Sequence, residues 1–263
     1  MRTSLKGRLP FRLATTSFIY PATWAGNVRR LAPLVDEIEL LFFESAPGSL
    51  PSAVDIRELV RLGRDLDVKY NVHLPLDVSL GDADAADHRR AVARLAECLS
   101  LCGPLRPSSY TLHLPAESFP ENDARWSSWR QRCRRGIETL LAGGLDSRLL
   151  AVENLIYPPF EEVQDLVEQY DLSICLDVGH LLRCGRDPLD FFRRFARRIA
   201  VVHLHGVANG RDHLGLDRLQ ASLREEFLKG LSGYTGTVSL EVFSDSDLQA
   251  SLHTLEEWLA SSP

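Results

Sequence analysis

Lysine is nearly absent. Lys6, Lys69 and Lys229 are the only three in 263 residues, and arginine supplies the rest of the 30 basic side chains. Against 36 acidic residues this leaves a formal charge of −6. That is the wrong sign for a chain that grips a nucleic-acid backbone, where affinity comes from Lys and Arg neutralising phosphates. The densest basic run, Arg193-Arg194-Phe195-Ala196-Arg197-Arg198, lies in a helical stretch and reads as a solvated helix face. Long apolar runs are also missing: none approaches the ~20 residues of a membrane span. No apolar h-region follows Met1–Gly7, so neither a membrane anchor nor a secretion signal is expected. The five cysteines (Cys98, Cys102, Cys133, Cys175 and Cys184) are an odd number with no CxxC pair, so reduced thiols and a cytoplasmic location are the expectation. What remains, 44% hydrophobic and 25% charged residues, is the composition of a globular chain with a full core.

Short apolar runs bounded by turn residues alternate with longer amphipathic segments. The strand-like runs are Arg12–Phe18, Glu37–Ser45, Lys69–Leu76, Ser109–Ala116, Leu149–Leu155, Ser173–His180, Ile199–Gly206 and Thr237–Phe243. Most are almost continuously hydrophobic, as parallel strands covered on both faces should be. Helical periodicity fills the intervals: Val54–Leu66, His88–Leu101, Trp126–Leu141, Phe160–Tyr170, Pro188–Arg198, Leu216–Leu231 and Asp247–Leu259. Asp187-Pro188 reads as an N-cap followed by Pro at the first helical position, and Ser52 precedes Asp55 at capping-box spacing. Eight strand–helix units of about 33 residues account for the length, and eight such units predict a closed (β/α)8 TIM barrel. The rival, a doubly wound open sheet, calls for a Gly-rich turn after the first strand, and Thr15-Thr16-Ser17-Phe18 has none. No linker divides the chain, so residues 1–263 are read as one domain.

Chemistry in such a barrel sits at the C-terminal ends of the strands. Strand three ends in His73, strand four in His113, strand five in Glu153-Asn154 and strand six in Asp177-Val178-Gly179-His180. Strand seven ends in His203-Leu204-His205 with Arg211-Asp212-His213 just beyond, and strand eight ends in Glu241. Of the eight histidines, only His88 and His253 fall in expected helices. A lone His after an apolar run is ordinarily a hydrogen-bonded wall residue. Six successive strands each delivering an imidazole or carboxylate to one rim is a different matter, because unpaired charges there repel and are poorly solvated. Divalent cations remove both penalties, and a His plus Asp/Glu mixture suits Zn, Mn or Fe rather than Ca or Cu(I).

These residues carry a resemblance over the whole length to the xylose isomerase-like barrel superfamily, which includes sugar isomerases and epimerases and the endonuclease IV group. Both branches use a Glu, Asp, His and Glu on strands five to eight, matched here by Glu153, Asp177, His203 and Glu241. The Asp177-x-x-His180 spacing is common to both. Endonuclease IV-like members add further ligands, and candidates exist for each: His73, His113, His180, Asp212 and His213. The resemblance therefore implies three metals, Zn or Mn with Fe as a further option. His73, His113 and Glu153 would hold one, Glu153, Asp177, His203 and Glu241 a second, and His180, Asp212 and His213 the third. Asp212 and His213 are adjacent, whereas the family spaces that pair by one residue. Glu153 and Glu241 are the implied catalytic carboxylates, and His205 is left as a neighbouring catalytic or substrate group.

Four carboxylates against three divalent cations leave a net positive site, suited to an anionic diester and to in-line displacement at phosphorus. The expected activity is thus a metal-dependent phosphodiesterase with a small or cofactor-sized substrate. Family DNA enzymes carry Tyr three residues after the strand-three His, where this chain has Leu76. The local strings Ala14–Pro21, Phe43-Glu44-Ser45, Glu153–Pro158 and Asp177–Leu182 are similar to the cobamide-remodelling phosphodiesterases. That similarity implies a corrinoid diester substrate, with Tyr20, Glu44, Asn154 and Tyr157 as substrate contacts. Loop rigidity is the plain alternative for Tyr20-Pro21 and Tyr157-Pro158-Pro159. The competing activities are a sugar or sugar-phosphate isomerase or epimerase using one metal, and an apurinic/apyrimidinic endonuclease. A non-catalytic metal-bound barrel fits the open polar rim least.

Overall fold

Eight parallel strands close into a barrel in the computed structural model, which describes residues 3–116 and 123–261. In chain order the strands are β1 (Arg12–Thr16), β2 (Glu37–Leu41), β3 (Lys69–His73), β4 (Tyr110–Leu112), β5 (Leu150–Glu153), β6 (Ser173–Asp177) and β7 (Ile199–Leu204). A two-stranded antiparallel hairpin, β8 (Gly206–Ala208) and β9 (Arg211–Leu214), precedes β10 (Thr237–Leu240). Each barrel strand pairs with its predecessor, and β10 closes the ring between β7 and β1. The helices are α1 (Trp24–Leu31), α2 (Ala53–Asp65), α3 (Ala85–Cys102), α4 (Asp123–Ala142), α5 (Glu161–Gln169), α6 (Val178–Arg183), α7 (Pro188–Phe195), α8 (Ala221–Gly230) and α9 (Asp245–Ser261). The chain has the closed (β/α)8 barrel expected from the alternation.

Strand residues alternate between two faces. From β2 onward the even-numbered positions, Ile38, Leu40, Val72, Leu112, Val152, Ile174, Leu176, Val202 and Leu240, join Leu13 of β1 in the core beneath the helices. Odd positions fill the barrel, where only Ala151, Cys175 and Val201 form a small separate apolar cluster. Most of the rest of that column is polar and buried: Glu37, Glu39, Asn71, Thr111, Ser239 and, higher up, the strand-end groups.

The observed strands stop short of the hydrophobic runs at the mouth, because Phe42, Leu74 and Leu114 remain buried after leaving the ladder. Strand six ends at Asp177, whose side chain accepts from the His180 N–H and caps α6. The expected start at Leu216 is a single 3-10 turn, with α8 beginning at Ala221. Helix α1 lies outside the expected segments; the Thr23 side chain caps it by accepting from the Gly26 N–H. The caps read from sequence at Ser52 and Asp187 are both formed. All five cysteines are unpaired, and no helix among the described residues is long and apolar enough to cross a membrane.

The base of the barrel is closed by charge. The fully buried Glu37 carboxylate accepts from Arg12 Nε at 3.1 Å, Asn71 Nδ2 at 2.7 Å and Ser108 Oγ at 2.5 Å. Thr237 Oγ1 donates to it from β10. Removing one partner of a buried charged network leaves the others uncompensated. Glu37→Ala should therefore destabilise the fold by about 3 kcal/mol, read as a lower urea midpoint.

Candidate metal centre

Parity places the candidate ligands together. Odd positions point into the barrel, so His73, Glu153, Asp177 and His203 arrive at one level of the mouth from β3, β5, β6 and β7, with Glu241 directly after β10. His113 follows directly after β4. All but His113 are nearly or fully buried.

Glu153 is the hub. Its Oε2 lies 3.0 Å from His113 Nε2, 3.3 Å from His73 Nε2 and 3.5 Å from His203 Nδ1, and its Oε1 lies 3.2 Å from His180 Nδ1. His203 Nδ1 is also 3.2 Å from Glu241 Oε2 and 3.9 Å from Asp177 Oδ2. Ligand atoms on a tetrahedral zinc at ~2.1 Å stand about 3.4 Å apart, which matches this spacing. His203 Nδ1 and Glu241 Oε2 are both buried without a hydrogen-bond partner. Orphaned buried polar atoms are rare, and a cation shared between these two would satisfy both, so the donor set fits a divalent metal. Ligand atoms lie within 4.8 Å of one another in His73/His113/Glu153, in Glu153/Asp177/His180, in His180/Asp212/His213 and in His205/His213/Glu241. Cys175 lies close to Glu153 and His203 as well, but burial pushes its thiol well above the ordinary range, which disfavours a thiolate ligand.

The β8–β9 hairpin supplies the outermost ligands. Asn209 and Gly210 both have positive φ, 53° and 74°, the signature of the Asn-Gly turn that suits a tight hairpin. Successive residues of a strand normally face opposite ways. The left-handed φ of 53° at His213 breaks that alternation, which is how the adjacent Asp212 and His213 reach one cluster. Asp212 Oδ2 also accepts from Arg183 Nη1 at 2.6 Å, a cation one turn beyond His180 that sequence reading did not single out.

Electrostatics follow from packing carboxylates among imidazoles. Burial opposes ionisation of Glu153, but His113 and His203 outweigh it and hold the carboxyl well below its usual range. His205 and His180 do the same for Asp177. Burial would lower the His180 imidazole, yet Asp177 and Glu153 push it up to about 10.

Some expected residues have other work. Asn154 is buried, donates Nδ2 to the Asp177 carbonyl and accepts the Asp177 N–H, so its amide ties the end of β5 to the end of β6. His205 is fully buried and 3.2 Å from Asp177 Oδ2; it packs so closely on Gly179 that a Cβ there would lie 2.1 Å from its Cε1. Its contacts orient Asp177. Tyr20 Oη donates to Asp245 Oδ1 at 2.6 Å, Glu44 accepts from Ser49 at the exposed rim, and Tyr157 stands 6.0 Å from the Trp126 ring. Sequence reading missed Glu39. Fully buried on β2, it accepts from His203 Nε2 at 2.9 Å and from Ser239 Oγ, leaving His203 Nδ1 turned toward Glu153, Asp177 and Glu241. The alternation Glu37-Ile38-Glu39 on a buried strand was the available signal.

The family model described as xylose isomerase-like TIM barrel matches residues 34–262. Among solved structures, a D-tagatose 3-epimerase-like protein is similar with a TM-score of 0.77 at 20% identity, covering 95% of this chain and 97% of that one. Endonuclease IV from Thermus thermophilus is similar with a TM-score of 0.72 at 21% identity, covering 95% and 100%. An L-ribulose 3-epimerase gives 0.71 at 19% identity, covering 95% of each chain. At these identities the likeness is one of fold. Among curated protein sequences no significant match is found.

A carboxylate behind a ligating imidazole fixes its orientation and basicity, and its loss typically costs 10- to 100-fold in metal affinity. Glu39→Gln should weaken the tightest zinc site by about that factor in a competition titration with a chromogenic chelator, with the far-UV circular dichroism unchanged.

Proposed function

We propose that this chain, which belongs to the xylose isomerase-like TIM barrel family, is a metal-dependent phosphodiesterase acting on a small or cofactor-sized diester. The observation that carries this reading is the pair of ligand clusters beyond the four-residue core: His73/His113/Glu153 on one side and His180/Asp212/His213 on the other. His180 is common to both branches, but a single-metal sugar enzyme does not require His73, His113 and His213 to converge at that spacing as well. Zn or Mn held there, or Fe, would supply Lewis acidity and counter-charge at the phosphoryl oxygens.

The protein's own groups have defined parts in that reaction. His73, His113 and Glu153 would hold one ion, Glu153, Asp177, His203 and Glu241 a second, and His180, Asp212 and His213 a third. Glu153 is saturated by its imidazole neighbours. Glu241 Oε2, which has no hydrogen-bond partner, would be taken up by the second ion, leaving the other oxygen of that carboxylate to accept a proton from the attacking water. His205 keeps Asp177 oriented. The acidic chain and its low lysine content favour a small diester over duplex DNA, and the nucleotide-loop diester of a cobamide is one substrate of that class. The chain's reduced cysteines agree with a cytoplasmic setting.

A sugar isomerase or epimerase is the second reading. Epimerase names recur among the fold neighbours, and the four-residue core alone would serve one metal polarising a carbonyl, with Glu153 and Glu241 moving the proton.

Elemental analysis of zinc- or manganese-loaded protein separates the two: more than one ion per chain is expected, rising to three. His113→Ala should lose one of them and abolish turnover of bis(p-nitrophenyl) phosphate, with the fold intact by circular dichroism. One ion per chain, no diester turnover and epimerisation of a ketose would overturn the phosphodiesterase reading.

A further inference from the structure

An aromatic row on the rim takes no part in the metal clusters. Among the described residues, six large apolar side chains are exposed. Val54, Val60 and Ile156 are scattered, but Phe18, Phe43 and Phe243 follow the ends of β1, β2 and β10, which are neighbours around the ring. They are 44%, 39% and 38% exposed. Phe18 meets Phe43 edge to face at 4.7 Å, and Phe43 lies 6.0 Å from Phe243. At its inner end the row touches the candidate metal centre, with the Phe243 ring 5.2 Å from that of His213. At its outer end Phe18 packs on Trp24 at 6.1 Å, which rests on the buried Phe42 at 5.4 Å. The row is therefore braced from below while its upper surface faces solvent.

Contiguous exposed apolar surface with a polar surround marks a binding site. The ligand class follows from what phenyl rings can and cannot do. They offer no partner to hydroxyl groups, so a sugar laid on them gains C–H contact but no hydrogen bond from the row. A flat heteroaromatic ring has a π face that needs none, and offset or edge-on aromatic contact is the favoured geometry. Continuity with His213 means that such a ring would carry its attached groups toward the His180/Asp212/His213 cluster.

We propose that Phe18, Phe43 and Phe243 form a stacking platform for a planar heteroaromatic ring, of the purine class, joined to the group on which the metal centre acts. The phosphoryl half of this inference rests on the phosphodiesterase reading; the ring half rests on the aromatic row alone.

Isothermal titration of the zinc-loaded protein with AMP, ribose 5-phosphate, adenosine and ribose tests the halves separately. AMP should bind roughly 10-fold or more tightly than ribose 5-phosphate, and adenosine more tightly than ribose by a similar factor. The double variant Phe18→Ala/Phe43→Ala should erase both preferences while leaving metal content and ribose 5-phosphate affinity unchanged. Adenosine binding equal to AMP binding would remove the phosphoryl half and leave the platform standing. No ring preference in the wild-type protein, or one that survives in the double variant, overturns the platform. So does a wild-type dimer that dissociates in the double variant with no ring preference in either form, since the row would then be a contact between copies.

Discussion

A carboxylate sealed in the mouth of a barrel needs compensation, and Glu153 has four imidazoles within 3.5 Å to provide it. Much of the upper barrel is arranged around that need. Strands β3, β6 and β7 and the segment after β4 each bring a histidine or its carboxylate partner to the same level. The pairing is mutual: the carboxylates raise the affinity of the imidazoles for a positive charge, and the imidazoles keep the carboxylates ionised. Protons or divalent cations can occupy that balance. The orphaned His203 Nδ1 and Glu241 Oε2 tilt it toward a cation, because a proton shared along their 3.2 Å separation makes no well-directed hydrogen bond.

The same parity rule extends the charge downward. Glu39 and Glu37 are successive inward positions of β2, one beneath His203 and the other beside Arg12. The barrel interior is consequently a polar column with a small apolar patch at Ala151, Cys175 and Val201, while the larger hydrophobic core lies between sheet and helices. A buried ion pair is weak ground for stability by itself. Its value here is geometric: the Glu39 carboxylate selects which nitrogen of His203 faces the ligands, and the Glu37 network ties β1, β2, β3 and β10 together at the base.

Much of this was legible in the sequence, for reasons that also mark where legibility ended. The barrel followed from eight alternations of apolar run and amphipathic segment, and the rim histidines stood out because they terminate those runs. Strand ends were overread, since Phe42, Leu74 and Leu114 are buried outside the ladder and hydrophobicity does not distinguish a buried loop from a strand. Glu39 was passed over because a carboxylate in mid-strand reads as solvated until its partner, 164 residues away, is known. Asn154 entered as a substrate contact through the resemblance alone; the match of its amide to the peptide of Asp177 on the next strand could not be read before the strands were placed. The aromatic row was invisible for a similar reason: Phe18, Phe43 and Phe243 are far apart in sequence, and only ring closure between β10 and β1 makes them adjacent.

The division between ladder and loop also explains why fold likeness leaves the reaction open. Glu153, Asp177 and His203 lie in strands, and Glu241 follows directly after β10, so any barrel of this register presents nearly the same four-residue core. The additional ligands come from outside the sheet. His113 lies just past β4, His180 in the short helix α6, and Asp212 and His213 in a hairpin whose left-handed residue turns two neighbours to one side. Loops of this kind are free to change while the barrel is kept. The left-handed φ at His213 lets Asp212 and His213 both reach one cluster with His180, a placement that the four-residue core by itself does not call for.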